Sequence, residues 1–75
     1  MSADELKKLI HAVPFQPFTV FMVSDKSFEV PHPEYAHVTP NGLLMIVSDE
    51  RSEGVDLLDV PLIARVKVRG NGYGK

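Results

Sequence analysis

Phe18-Thr19-Val20-Phe21-Met22-Val23-Ser24-Asp25-Lys26-Ser27-Phe28-Glu29-Val30 decides the fold class. Residues 18–23 are β-branched, aromatic or long apolar side chains, the composition of a strand. Ser24-Asp25-Lys26 is a polar turn. Ser27–Val30 then alternates, with Phe28 and Val30 on one face. Strand, short turn, strand is the pattern of an antiparallel pair.

The rest of the chain repeats that form. Pro31-His32-Pro33 interrupts it, and Tyr35 to Thr39 resumes it. Pro40-Asn41-Gly42 is a turn, because Asn-Gly tolerates the positive φ of a tight hairpin. Leu43 to Val47 is a continuous apolar run, and Ser48 to Gly54 is a charged loop. Val55 to Leu58 is another strand, and Asp59-Val60-Pro61-Leu62 is a short turn. Ile63 to Arg69 is the last strand, with Val66 and Val68 facing opposite to Arg65, Lys67 and Arg69. No helical stretch separates these strands, so crossover connections are excluded and the strands pair antiparallel. Residues 18–23 and 43–47 are apolar on both faces. One face meets the interior; the other needs a helix or a partner molecule.

The only helix precedes the strands, over residues 2–12. Ser2 and Glu5 form the capping box S-x-x-E. Leu6, Leu9, Ile10 and Val13 recur at helical spacing as one apolar stripe. Asp4 and Glu5 suit the positive end of the helix dipole; Lys7, Lys8 and His11 suit the negative end. Pro14 stops the helix at Val13, and Pro17 keeps Phe15-Gln16-Pro17 extended.

Composition narrows the classes. The 75 residues make one domain, expected over 1–69, with a mobile Gly-rich tail over 70–75. Such a chain buries only about 60% of its unfolded surface, so a disulfide, a metal or oligomerisation is the usual support. There is no cysteine, so disulfides and thiolate sites are excluded. No apolar run reaches membrane-spanning length, and Met1-Ser2-Ala3-Asp4-Glu5 is not a signal peptide, so a cytoplasmic bacterial protein is expected. A net charge of −2 gives no global pull toward nucleic acid or membrane.

Two stretches carry a resemblance. Phe18 to Val30 resembles the first segment of the Sm-like proteins, the family of the bacterial RNA chaperone Hfq. Val55 to Val68 resembles the second, a strand, a short turn and a strand of the type I-x-x-V-x-V. The resemblance implies a mainly β (α+β) fold: an N-terminal helix followed by a five-stranded antiparallel SH3-like, Sm-like small barrel. The Tyr-Lys-His signature is absent; Asp59-Val60-Pro61-Leu62 stands there, so the family's RNA-binding residues do not carry over. The chain also resembles short bacterial proteins without an assigned activity. They share an EL-x-x-L helix (Glu5, Leu6, Leu9), a PF-x-PF linker (Pro14 to Phe18) and an HPE segment (His32 to Glu34).

Candidate chemistry is sparse. Arg65, Lys67 and Arg69 lie on one strand face at steps of about 6.6–6.8 Å, a spacing that suits phosphate contacts. Tyr73 and Lys75 follow on the tail. The same residues equally suit a solvated strand face that discourages aggregation. His32, Glu34 and His37, with Glu29 near, match no metal-ligand spacing. Asp49, Glu50, Glu53, Asp56 and Asp59 lack the EF-hand pattern. No serine stands in a nucleophile motif, and Gly70, Gly72 and Gly74 open no helix. Neither an enzyme, a cofactor nor a small-molecule substrate is expected. The expected function is a self-associating interaction module, a homo-oligomer using Phe18, Phe21, Met22 and Met45, with Phe15 nearby. The alternatives are a protein that binds RNA or single-stranded nucleic acid through Arg65, Lys67 and Arg69, and an accessory subunit that docks a protein partner through its apolar strands.

Overall fold

The break at Pro31-His32-Pro33 divides what would be one long strand into two, and the architecture follows from it. A computed structural model describes residues 2–49, 51 and 53–69. Helix α1 (Ala3–Ile10) precedes β1 (Phe18–Met22), β2 (Ser27–Val30), β3 (Ala36–Val38), β4 (Leu44–Ser48), β5 (Val55–Asp59) and β6 (Ile63–Val68). Short 3₁₀ turns at Pro33–Tyr35 and Val60–Leu62 join β2 to β3 and β5 to β6. All pairings are antiparallel, in two three-stranded sheets ordered β2-β1-β6 and β3-β4-β5.

The chain is therefore mainly β with an N-terminal helix, as the sequence implies, but two details differ. There are six strands among the described residues rather than five, and the two sheets share no ladder, so they form no closed barrel. Proline cannot donate to a ladder, and Pro31 and Pro33 stand where the second strand would have continued. Tyr35 belongs to the turn, its N–H donating to the His32 carbonyl at 3.1 Å. The expected tail, 70–75, lies outside the described residues.

Sheets and helix meet in one core. The largest fully buried side chains are Leu6 from α1, Val20 from β1, Val30 from β2 and Met45 from β4. Phe18, Ile10, Val38, Val47, Leu58, Val60 and Ile63 complete it, with Ala36 at its margin. No buried polar side chain interrupts it among the described residues. A bulge between Phe21 and Met22 helps. Phe21 pairs with Arg65 but Met22 with Ile63, so Ala64 is the extra residue, and Ile63 is turned inward. The Val60–Leu62 turn is bonded to both sheets: the Val60 N–H donates to the Leu43 carbonyl, and the Val23 N–H to the Leu62 carbonyl, each at 2.9 Å.

Helix α1 is capped as the sequence predicts. The Glu5 N–H donates to Ser2 Oγ at 3.2 Å, and the Ser2 N–H donates to Glu5 Oε1 at 3.3 Å. It is shorter than expected, ending at His11, whose N–H donates to the Lys7 carbonyl at 3.0 Å. Leu6 and Ile10 are buried and Leu9 is half-buried, but Val13 is 95% exposed. The chain has left helical geometry before reaching Val13, so the stripe stops at Ile10.

Two turns use left-handed backbone. Asp25 (φ 73) closes the β1–β2 turn, a conformation that Asp tolerates better than most residues. The β3–β4 connection is a wider loop than the tight hairpin expected of Asn41-Gly42. Only Gly42 has positive φ, while Asn41 Oδ1 accepts from the Leu43 N–H at 3.0 Å and from Thr39 Oγ1 at 2.7 Å. Gly42 is also required by packing, since a Cβ there would stand 3.0 Å from the Ala3 Cβ of the helix.

Hydrogen bonds from the Ser2 backbone and side chain hold the Glu5 carboxyl below its ordinary pKa. A depressed carboxyl stabilises the fold above the glutamate range, and that contribution is lost as pH falls through its folded value. Ser2→Ala should therefore lower the Tm most at neutral pH, and the difference from the parent chain should narrow on acidification. Thermal melts of both chains followed by circular dichroism across that range check it.

Candidate functional site

Registers fix which side chains face out. On the first sheet, Phe18 and Val20 point into the core, so Thr19 and Phe21 point outward. Thr19 lies between Glu29 of β2 and Lys67 of β6; Phe21 lies between Ser27 and Arg65. The Arg65 guanidinium stacks over the Phe21 ring, 3.9 Å from its centroid. Arg69 follows the end of β6, tied by its N–H to the Pro17 carbonyl at 2.8 Å. Pro17, Phe18, Thr19, Lys67 and Arg69 line a cleft of about 320 Å³. The structure thus brings the three predicted cations to one face. It adds Thr19 and Pro17, which the sequence reading did not select.

On the second sheet, Met45, Val47 and Leu58 point inward. The outward rows are His37–Ile46–Leu57, Leu44–Asp59 and Ser48–Val55. Leu57 is 63% exposed and Val55 56%, and Leu43, just before β4, is exposed as well. Strand β5 pairs only with β4 among the described strands, so one edge of it is free.

Two of the four residues expected to form a self-association surface are buried. Phe18 and Met45 are core residues, 2% and 0% exposed, and have no surface to offer. Met22 is half-buried and packs against the core. Phe21 faces out, but under Arg65. Phe15 is half-buried with its ring 6.0 Å from that of Phe18. The outward residues that sequence reasoning missed are Val55, Leu57 and Ile46. Val55-x-Leu57 carries the necessary alternation, but Leu57-Leu58 is apolar on both faces and hides which one is buried.

The remaining polar groups do not assemble a reaction centre. His32 lies against Tyr35, ring centroids 5.6 Å apart, whereas His37 stands on the outer face of β3. Among the described residues no three His, Asp or Glu side chains gather as metal ligands. Asp49 and Asp56 line a second cleft, of about 390 Å³, with Ser27, Glu29 and Arg51. There Asp49 Oδ1 accepts from the Arg51 N–H at 2.8 Å, a local loop bond. Glu53 and Asp59 are exposed. Glu50, Tyr73 and Lys75 lie outside the described residues. Among the described residues, no helix is long and apolar enough to cross a membrane.

Comparison with known proteins gives no relative: no family model, no curated protein and no solved structure matches the chain.

The burial of Phe18 and Met45 has a direct consequence for mutants. Phe18→Ala and Met45→Ala should each destabilise the fold by about 2–5 kcal/mol, the usual cost of emptying a core site. Urea titration monitored by circular dichroism measures it, and an effect within ~0.5 kcal/mol would place these residues back on the surface.

Proposed function

We propose that this chain is a cytoplasmic, non-catalytic small β-domain that works by associating with copies of itself. The observation that carries the reading is the outer surface of the second sheet. Leu57 and Val55 are more than half exposed on a strand whose edge is unpaired among the described strands, and Ile46 continues the apolar row beneath Leu57. A free strand edge with apolar side chains is the arrangement that monomeric proteins avoid. A second chain would cover both the side chains and the unpaired backbone groups. The thin core of so short a chain favours the same outcome, because association adds burial that folding alone does not supply.

The strand order supports an SH3-like, Sm-like reading of the fold. Strand β2 leads into β3 across the proline break, and β5 leads into β6 across the Val60–Leu62 turn. Rejoining β2 and β3 gives five antiparallel strands in the order β6-β1-β2/β3-β4-β5, a small barrel with one strand broken.

Sedimentation velocity over a concentration series tests the function. The parent chain should sediment as a multiple of its 8.3 kDa mass. Val55→Lys combined with Leu57→Lys should reduce it to a monomer with its circular dichroism spectrum unchanged, since both side chains are exposed. A parent chain that stays at monomer mass at high concentration contradicts the proposal.

A further inference from the structure

The geometry points to a nucleotide-binding surface on the outer face of the first sheet, apart from the self-association surface. We infer that Thr19, Lys67 and Arg69 seat a phosphate and that the Arg65–Phe21 stack carries the base beside it.

The phosphate seat is a cleft with three kinds of donor. Thr19 and Lys67 are directly opposed across β1 and β6, and Arg69 closes the end against Pro17. Opposed residues hold their Cβ atoms about 4.5–5.5 Å apart, so a hydroxyl and an ammonium can converge on one anion. A guanidinium adds paired donors that match phosphate oxygens. The cleft volume of about 320 Å³ accommodates the group with its ester oxygens.

The cations are uncompensated. Arg65, Lys67 and Arg69 form no ion pair among the described residues. Glu29 is the one carboxylate in the two outward rows, and β1 separates it from Lys67. Two strand spacings make that separation roughly 9–10 Å, beyond ion-pair contact. The other two carboxylates of the second cleft, Asp49 and Asp56, belong to the second sheet and its loop. A net charge of −2 thus hides a locally positive face.

The base platform lies one step along β6. Arg65 precedes Lys67 at the alternate position, about 6.6–6.8 Å away on the same face, one nucleotide step of an extended strand. Phe21 lies under the guanidinium, its ring centroid 3.9 Å from Cζ, and Arg65 remains exposed. An exposed guanidinium seated on an aromatic ring is a surface on which a base stacks without sequence preference. Position and charge therefore suit one phosphate and one base, from a single-stranded nucleic acid or from a free mononucleotide.

Fluorescence anisotropy with a short fluorescein-labelled oligoadenylate, competed by AMP and by inorganic phosphate at two salt concentrations, tests it. Lys67→Gln and Arg69→Gln should each weaken oligoadenylate binding about tenfold, the loss expected of one charged hydrogen bond, and reduce the salt slope by about one. Arg65→Ala should weaken oligoadenylate and AMP but leave phosphate competition unchanged. Glu29→Gln, which removes the carboxylate on the far side of Thr19 and keeps all three donors of the seat, should tighten binding and guards against loss through misfolding. AMP competing only weakly identifies a nucleic-acid strand as the source of the phosphate; AMP matching the oligonucleotide identifies a free nucleotide. Absence of oligoadenylate and AMP binding at low salt, or binding indifferent to Lys67→Gln and Arg69→Gln, overturns the inference and leaves the cations as a solvated face. Phosphate competition that depends on Arg65 overturns the base platform.

Discussion

The single core in which Leu6 is fully buried is the constraint on which the rest depends. The sheets share no hydrogen-bonded ladder, so backbone pairing within them does not fix their relative position. What fixes it is the shared core of Leu6, Val20, Val30 and Met45, one side chain each from the helix, β1, β2 and β4, together with the two short turns. The Ser2–Glu5 box orients the helix, and Gly42 gives it room to approach the β3–β4 loop. In a chain with so few core positions, losing any one of the four removes a contact between layers rather than within one.

The same constraint puts both proposed surfaces on the outside. Each three-stranded sheet has an inner face committed to the core and an outer face that the single short helix does not cover. The two outer faces then diverge in chemistry. The first carries Thr19, Phe21, Arg65 and Lys67, with Glu29 at its far edge, and is polar and cationic; the second carries Ile46, Leu57 and Val55 among His37, Asp59 and Ser48 and is the more apolar. The two proposals therefore use opposite sides of the chain, an anion on one and a second copy on the other. A closed interior pocket is not needed for either, and a core this small leaves little space for one.

Much of the fold was legible because local signals agreed with tertiary ones. The capping box, the strand–turn–strand of Phe18 to Val30 and the alternation of Arg65, Lys67 and Arg69 are read from spacing alone. What was not legible depended on facing. Phe18, Phe21, Met22 and Met45 all read as surplus apolar surface, because a strand that is apolar on both faces does not declare which is buried. The structure sends Phe18 and Met45 inward and leaves Leu57 out. The strand count failed for a related reason. Pro31 and Pro33 mark a break, but only the pairing of β2 with β1 and of β3 with β4 shows that the halves belong to different sheets. The Ala64 bulge left no mark that alternation could detect, yet it decides that Ile63 is core.

The central claim is that another copy of the chain covers the second sheet at β5. Amide hydrogen exchange measured by mass spectrometry at several protein concentrations tests it most directly. The account predicts that protection of the β5 segment, Val55 to Asp59, rises with concentration while that of β1 stays constant. Exchange of β5 that is fast and independent of concentration would contradict it.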